Sequence, residues 1–142
     1  CWPPLGSRGV GFSRANLYGK YFNEYKKESQ EPLLIAMIES EKAIKNLESI
    51  LSVEGLDAIL IGPYDLSASM GIIGDFSNQK FVNTIDQILK LSNKYKITAG
   101  IHIVEPSKIE LKKKIEEGYK FIAYSLDSVM LLDAADQNKK KE

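Results

Sequence analysis

The stretch Ala58-Ile59-Leu60-Ile61-Gly62-Pro63-Tyr64-Asp65-Leu66-Ser67 decides the fold class of this chain. Its first four residues are an uninterrupted apolar run, which is typical of a strand buried on both faces of a parallel sheet. Gly62 and Pro63 end that strand, and Asp65 follows directly after it. In parallel α/β folds the functional site forms at the carboxyl ends of the strands, so this stretch also indicates where the chemistry lies.

The same pattern recurs on both sides of this stretch. Apolar runs predict further strands at residues 33–38, 97–104 and 121–124. Helical spacing of apolar residues predicts helices over residues 40–53 and 81–95, from Pro106 to just before Gly118, and over residues 129–135. This alternation predicts an α/β fold with parallel pairing. An open doubly wound sheet and four consecutive units of a (β/α)₈ barrel both fit it, and periodicity alone does not separate them.

Length and composition narrow the class of protein. The 142 residues are 44% hydrophobic and 27% charged, which predicts a globular domain, but a complete (β/α)₈ barrel needs roughly 200 residues or more. The 19 basic and 19 acidic residues cancel, so neither nucleic acid nor an acidic membrane is an expected partner. A single Cys cannot form an internal disulfide, and we expect a cytoplasmic location. The chain begins at Cys1 rather than Met, so we expect it to be a piece of a longer protein.

Two carboxylates follow neighbouring predicted strands. Glu39 ends the first strand, on the same face as Met37, and Asp65 stands past the second. Because adjacent parallel strands lie about 4.8 Å apart, both side chains could converge on a hard cation such as Mg²⁺ or Mn²⁺. The alternative is that Glu39 is a first-turn acid of the following helix and that Asp65 caps a short segment over residues 66–70. The residues alone leave both interpretations open.

Other candidates are weaker. His102 lies within the third strand, where it is a general base or a hydrogen-bonded strand histidine; the second is favoured because no orienting partner is evident. Residues 6–11 contain three Gly without the spacing of a phosphate-binding loop, so we predict an irregular loop in which Arg8 could reach an anion. The tyrosines of residues 18–25 indicate packing or a subunit contact.

Several segments together resemble the HpcH/HpaI family of metal-dependent aldolases. The matching segments are Pro4-Leu5-Gly6-Ser7-Arg8-Gly9-Val10-Gly11, Arg14-Ala15, Tyr18-Gly19, Ile38-Glu39, Gly55-Leu56-Asp57, Ile61-Gly62-Pro63-Tyr64-Asp65-Leu66-Ser67 and Met70-Gly71. The similarity runs from about residue 3 to Asp127. The Gly-Pro-x-Asp-Leu-Ser segment, at its spacing after Ile-Glu, is the most specific part. The 2,4-dihydroxyhept-2-ene-1,7-dioate aldolases are of this type.

The resemblance implies a TIM-type (β/α)₈ barrel of which this chain supplies strands five to eight. It implies a class II carbon–carbon lyase that cleaves or forms 4-hydroxy-2-oxo acids, with pyruvate bound as a metal enolate. Glu39 and Asp65 would hold the divalent cation, Mg²⁺ or Mn²⁺ with Co²⁺ as a further option. Gly62 and the backbone N–H groups around Tyr64 and Asp65 would bind the pyruvate carboxylate. Residues 1–137 would form a partial barrel domain and residues 138–142 a charged tail.

Two departures from the family pattern affect the expected activity. Met37 stands where the family commonly has Gln, and alternation turns it toward the site as a substrate contact. The family's catalytic His and charge-stabilising Arg come from the first half of the barrel, so we assign no catalytic residue in this chain. The expected partners are pyruvate, an aldehyde, the missing amino-terminal half-barrel and further copies in a homo-oligomer.

Two alternative functions stay open. The chain could be a non-catalytic half-barrel that self-associates to cover its sheet edges. It could also be a citrate-lyase-like or malyl-thioester lyase of the same superfamily, although the loop at residues 6–11 fits the free-acid aldolases better.

Overall fold

The computed structural model describes residues 6–139, with side chains up to residue 136, and the chain divides into two compact units, one ending at Leu33 and the other beginning at Leu34. Residues 6–13 have no regular secondary structure, as predicted for the loop at residues 6–11. The strands are β1 (Ile35–Ile38), β2 (Ala58–Ile61), β3 (Thr98–Ile103) and β4 (Phe121–Tyr124). The helices are α1 (Phe22–Glu28), α2 (Glu41–Lys45), α3 (Leu47–Leu51), α4 (Pro63–Ser69), α5 (Gln79–Tyr95), α6 (Lys108–Glu116) and α7 (Asp127–Lys139).

A buried asparagine organises the first unit. The Asn16 side chain is fully buried. Its Oδ1 accepts hydrogen bonds from the backbone N–H groups of Ser13 and Gly19, at 2.9 and 3.0 Å, and its Nδ2 donates to the carbonyl of Gly11 at 3.0 Å. These bonds satisfy one backbone group at the end of the irregular 3₁₀ segment Arg14–Gly19 and two that precede it.

The second unit is built on a parallel sheet in the order β1-β2-β3-β4. Its register places Ile38, Ile61, Ile101 and Ile122 in one row across the four strands. All four strands form where apolar runs predict them, and each pairs with the next along the chain. The predicted parallel α/β fold is therefore confirmed.

One face of the sheet carries the buried core. Ile38, Ile59 and Ile61 are completely buried on this face. They form one cluster with helix residues, namely Leu47 and Leu51 of α3, Leu66 of α4, and Phe81, Ile85 and Ile88 of α5. Burying a side chain of this size contributes roughly 1.5–3 kcal/mol. Among the residues with described side chains, none from α6 or α7 belongs to this cluster.

The opposite face carries alternate residues of the same strands and is less covered. Met37 of β1 is 50% exposed, and Leu60 of β2 is only partly buried. Phe121 lies across β3, since a Cβ on Gly100 would sit 2.6 Å from its Cδ1 atom. This face ends at Glu39 and Gly62, which places the candidate site at its carboxyl edge.

The helix predicted over residues 40–53 is wrong as a single element. It is two short helices, α2 and α3, separated at Asn46, whose φ and ψ are −106° and 13°. The Asn46 Nδ2 donates to the Lys42 carbonyl at 2.8 Å, so the side chain competes with the helical hydrogen bonds of the backbone.

The helix predicted from Pro106 begins two residues later. Ser107 is the N-cap, and its Oγ accepts the N–H of Glu110 at 3.2 Å, so α6 begins at Lys108. The last helix extends beyond its predicted bounds at both ends, from Asp127 to Lys139. Residues 140–142 of the predicted charged tail lie outside the described residues.

Candidate functional site

Glu39 follows β1 directly and precedes the N-cap of α2. Ser40 is that N-cap, because its Oγ accepts the N–H of Ala43 at 3.2 Å. The first-turn acid of α2 is Glu41, so the helix-acid interpretation of Glu39 is wrong. Glu41 pairs with Lys80 at 2.6 Å, and this hydrogen bond and charge lower the pKa of Glu41. Glu41, rather than Glu39, therefore serves the amino end of α2.

The Glu39 side chain lies over the end of the neighbouring strand. A Cβ on Gly62 would sit 2.9 Å from Glu39 Oε1 and 3.0 Å from its Cγ. The φ of Gly62 is −94°, which any residue adopts, so glycine is needed here for space rather than for backbone conformation. The N–H of Gly62 donates to the Ile38 carbonyl at 3.2 Å and extends the β1–β2 ladder to the edge of the site.

Asp65 lies in the first turn of α4, which follows β2 immediately. Gly62 is the N-cap of this helix and Pro63 occupies the first helical position, where its missing N–H costs nothing. Asp65 is exposed, and the N-terminus of α4 has no side-chain capping bond, so the predicted capping role of Asp65 is wrong. Within residues 6–139, neither Asp65 nor Glu39 takes part in a side-chain hydrogen bond or an ion pair.

Ser67 supports the turn that carries Asp65. It is completely buried; its Oγ donates to the Tyr64 carbonyl at 2.8 Å and accepts the N–H of Gly74 at 3.0 Å. The Tyr64 ring packs edge-on against Phe76, with centroids 5.0 Å apart. Sequence reasoning missed Gly74 and Phe76, because the loop over residues 71–78 has no periodic pattern and reaches the turn only in the folded chain.

His102 lies on the same face of the sheet as Glu39. Ile101 and its neighbour Ile103 are buried on the helix side, so alternation turns His102 to the opposite face. Ile61 of β2 pairs with Ile101 of β3, so the next residues of the two segments, Gly62 and His102, lie side by side. Its Nε2 is buried and has no hydrogen-bond partner in the part of the chain that the structure describes. The hydrogen bond that was predicted for this histidine is therefore not formed by its Nε2 atom.

A groove of about 640 Å³ opens on the helix side of the sheet, between α5 and α6. Its lining includes the apolar residues Phe81, Ile85, Ile101 and Ile103 and the charged residues Asp86, Glu110, Lys113, Lys114 and Glu117. The lining also includes Pro63 and Tyr64 of the turn that carries Asp65 and His102 of β3, so the groove reaches the carboxyl edge of the sheet.

The model of the HpcH/HpaI aldolase/citrate lyase family matches residues 6–134. The chain belongs to this family. The matched range includes Glu39, Gly62 and Asp65, so the resemblance carried by the motifs is confirmed.

The individual relatives are aldolases by name. A 2-keto-3-deoxy-L-rhamnonate aldolase from Klebsiella pneumoniae subsp. pneumoniae is 35% identical over 138 residues, which are 96% of this chain and 51% of that protein. An HpcH/HpaI aldolase/citrate lyase family protein from Burkholderia cenocepacia J2315 superposes with a TM-score of 0.81 at 27% identity, covering 97% of this chain and 53% of its own. An HpcH/HpaI aldolase from Desulfitobacterium hafniense DCB-2 superposes with a TM-score of 0.77 at 26% identity. This match covers 99% of this chain and 54% of that protein's chain. The chain spans about half the length of the curated relatives it matches.

Two features are absent from the described residues. Among the helices of residues 6–139, none combines the length and apolar character that crossing a bilayer requires. The same part of the chain contains no cluster of three or more His, Cys, Asp or Glu side chains able to hold a metal ion.

Proposed function

We propose that this chain is the carboxyl-terminal half of a (β/α)₈ class II aldolase, a lyase that cleaves or forms 4-hydroxy-2-oxo acids with pyruvate and a divalent cation. One observation carries the proposal. The Glu39 side chain lies over Gly62, beside the turn of Asp65, and neither carboxylate has a hydrogen-bonding or ionic partner within residues 6–139. Unpaired carboxylates on one edge of a parallel sheet are suited to binding a cation.

Strand order supports the half-barrel. Four strands that pair strictly in chain order, with the buried core on one face only, match consecutive units of a barrel. A doubly wound sheet reverses its strand order at a switch point and carries helices on both faces. The half-length coverage of the relatives agrees with strands five to eight.

The donor set fits a hard cation. Two carboxylate oxygens leave positions open for water and for the oxygens of pyruvate, which is the usual arrangement around Mg²⁺ or Mn²⁺. When bound, the cation supplies Lewis-acid stabilisation of the negative charge that develops on the keto oxygen of pyruvate. Glu39 and Asp65 would hold the cation, and the space over Gly62 gives the Glu39 carboxylate its position.

Other residues of the chain would orient the substrate. The first-turn N–H groups of Tyr64 and Asp65 have no acceptor within α4, so they can donate to the pyruvate carboxylate. Met37, half exposed on the face of Glu39, would line the site without a polar contact. The groups that move protons are expected from the preceding half-barrel.

The test uses the assembled protein, meaning this chain joined to the preceding half-barrel. With Mg²⁺ or Mn²⁺ present, it should release pyruvate from a 4-hydroxy-2-oxo acid. Asp65→Asn should lower this rate by at least about 100-fold, since even outer-shell changes at metal sites cost 10–100-fold. Pyruvate release is followed with a coupled reductase assay.

Asp57→Asn is the matched control. Asp57 precedes β2 at the amino edge of the sheet, where its Oδ2 accepts the N–H of Leu34 at 2.7 Å, and asparagine keeps an oxygen acceptor there. This variant should keep the rate of the unmodified protein. Full activity of Asp65→Asn would overturn the ligand assignment.

A second candidate function rests on the less covered face of the sheet. A non-catalytic half-barrel would use this face, with Met37 half exposed, to bind another copy. Titration calorimetry separates the two functions. Absence of heat with Mn²⁺ plus pyruvate in the assembled protein, together with a clean dimer of this chain on sizing, would leave only the structural role.

A further inference from the structure

Two buried polar atoms at the carboxyl edge of the sheet have no partner. His102 Nε2 and Ser125 Oγ are both buried, and neither makes a hydrogen bond to any described residue. Ser125 is only 8% exposed as a residue. Buried polar groups are normally paired because an unpaired one loses its hydration without compensation. We therefore expect each atom to form a hydrogen bond with a group that is not among the described residues.

Register places both groups near the proposed site. His102 lies beside Gly62 on the face that carries Glu39. Ser125 follows β4, and its N–H donates to the Ile103 carbonyl at 2.6 Å, so it adjoins the end of β3. The φ of Ser125 is +61°, a left-handed conformation that few non-glycine residues adopt and that turns the chain at this edge. The two groups thus occupy adjacent strand ends.

Their distance from Glu39 suits the far end of a short substrate. The Glu39 carboxylate lies over Gly62, and His102 stands one strand further along the edge. One strand spacing is about 4.8 Å, a distance that roughly three to four carbon–carbon bonds span. A molecule held at Glu39 by one end therefore reaches His102 with the other.

The two unpaired atoms suit a hydroxyl group as their ligand. An imidazole nitrogen and a hydroxyl can each pair with a hydroxyl group, which both donates and accepts.

We propose that His102 and Ser125 form a binding site for a hydroxyl group on the aldehyde acceptor, beside the pyruvate site. The inference rests on the proposed aldolase function and adds the acceptor end to it. Neither side chain touches the reacting carbon in this assignment. Both act on the affinity for the acceptor and on the choice between acceptors.

The experiment measures acceptor selectivity in the assembled protein. Aldol addition of pyruvate is run with glyceraldehyde, which carries hydroxyl groups, and with propionaldehyde, which carries none. His102→Leu should raise the KM for glyceraldehyde at least about tenfold, because it removes a buried hydrogen bond, and leave the KM for propionaldehyde unchanged. Ser125→Ala should act in the same direction and keeps the test valid if the first variant does not fold.

Thr98→Val is the control, since Thr98 lies on the same strand and face as His102 but at the amino end of β3. It should change neither KM. Calorimetry with Mn²⁺ and pyruvate reports separately on the aldolase proposal, and both acceptor variants should bind pyruvate as the unmodified protein does. Equal changes of the two KM values, or a lower melting temperature with no change in either, would overturn the acceptor site. Failure of the unmodified protein to bind pyruvate would overturn both proposals.

Discussion

At the scale of single residues, the missing side chain of Gly62 gives the Glu39 carboxylate its place. The carboxylate occupies the space where a Cβ would be, and Gly62 does not need its glycine for backbone conformation. The position of the Glu39 side chain thus depends on the absence of a side chain at Gly62, the residue that follows the neighbouring strand. This coupling predicts what a methyl group at position 62 would do.

Gly62→Ala should weaken cation binding with little loss of stability. The new Cβ would lie 2.9 Å from Glu39 Oε1, and a flexible side-chain end can move away cheaply. We expect Mn²⁺ affinity in the assembled protein, measured by calorimetry, to fall at least about tenfold. Gly9→Ala is the control, because a Cβ there meets nothing within 4 Å. Unchanged Mn²⁺ affinity in Gly62→Ala would show that the Glu39 position is not needed.

Tyr119 shows how a buried hydroxyl makes stability depend on pH. It is 3% exposed, its OH has no partner within the described residues, and burial raises its pKa. Above pH 10, the ordinary value, the unfolded chain loses this proton while the folded chain keeps it. The free energy of unfolding must therefore decrease as the pH rises above 10.

Tyr119→Phe should remove this part of the pH dependence. It should also leave stability at pH 7 unchanged or raise it by up to about 1 kcal/mol, because it deletes an unpaired buried group. Urea unfolding at pH 7 and at pH 11 measures both effects. Tyr18→Phe, at a ring that is 72% exposed, is the control and should behave as the unmodified chain. A steeper loss of stability at pH 11 in Tyr119→Phe would contradict the assignment.

At the scale of elements, local signals predicted the strands better than the helices. β2 and β4 have the bounds that their apolar runs predict, because an uninterrupted apolar run is visible in the sequence of the strand itself. The helix over residues 40–53 was mispredicted because Asn46 fits a helical pattern by position but breaks it by hydrogen bonding. Whether a side chain takes a hydrogen bond from the helix backbone depends on its orientation in the folded chain, which the spacing of apolar residues does not reveal.

The N-cap of α2 predicts a measurable loss of stability. Ser40 accepts the N–H of Ala43 and stands next to Glu39, so Ser40→Ala should lower the free energy of unfolding by about 1 kcal/mol. Urea unfolding of this chain measures the change. Ser49→Ala is the control, because Ser49 is an exposed residue inside α3 where alanine is at least as good a helix former. Equal effects of the two variants would contradict the capping role.

At the scale of the whole molecule, the described surface includes features that favour association. β1 and β4 are the two edges of the sheet, and edge strands present unpaired backbone groups. Apolar side chains are also exposed on α7, with Leu131 at 74% and Leu132 at 63%. Exposed edges and apolar surface of this kind are rare in a stable monomer.

This chain alone should therefore form dimers or larger species at micromolar concentration. Light scattering measures the mass, and addition of the preceding half-barrel should remove the self-associated species by covering both edges. A monodisperse monomer would contradict the open half-barrel. The predicted single domain over residues 1–137 stays a prediction, as does the homo-oligomer.

The sequence by itself determined the parallel α/β order, the positions of the strands and the family, because apolar runs and the segment from Gly62 to Ser67 are local features. Only the tertiary structure decided that Glu39 lies over Gly62, that Ser67 joins the turn to Gly74, and that His102 has an unpaired nitrogen. Each of these depends on register or on contacts between distant segments. Alternation assigns a face to each strand residue, but the contacts across the sheet form only when the strands pair.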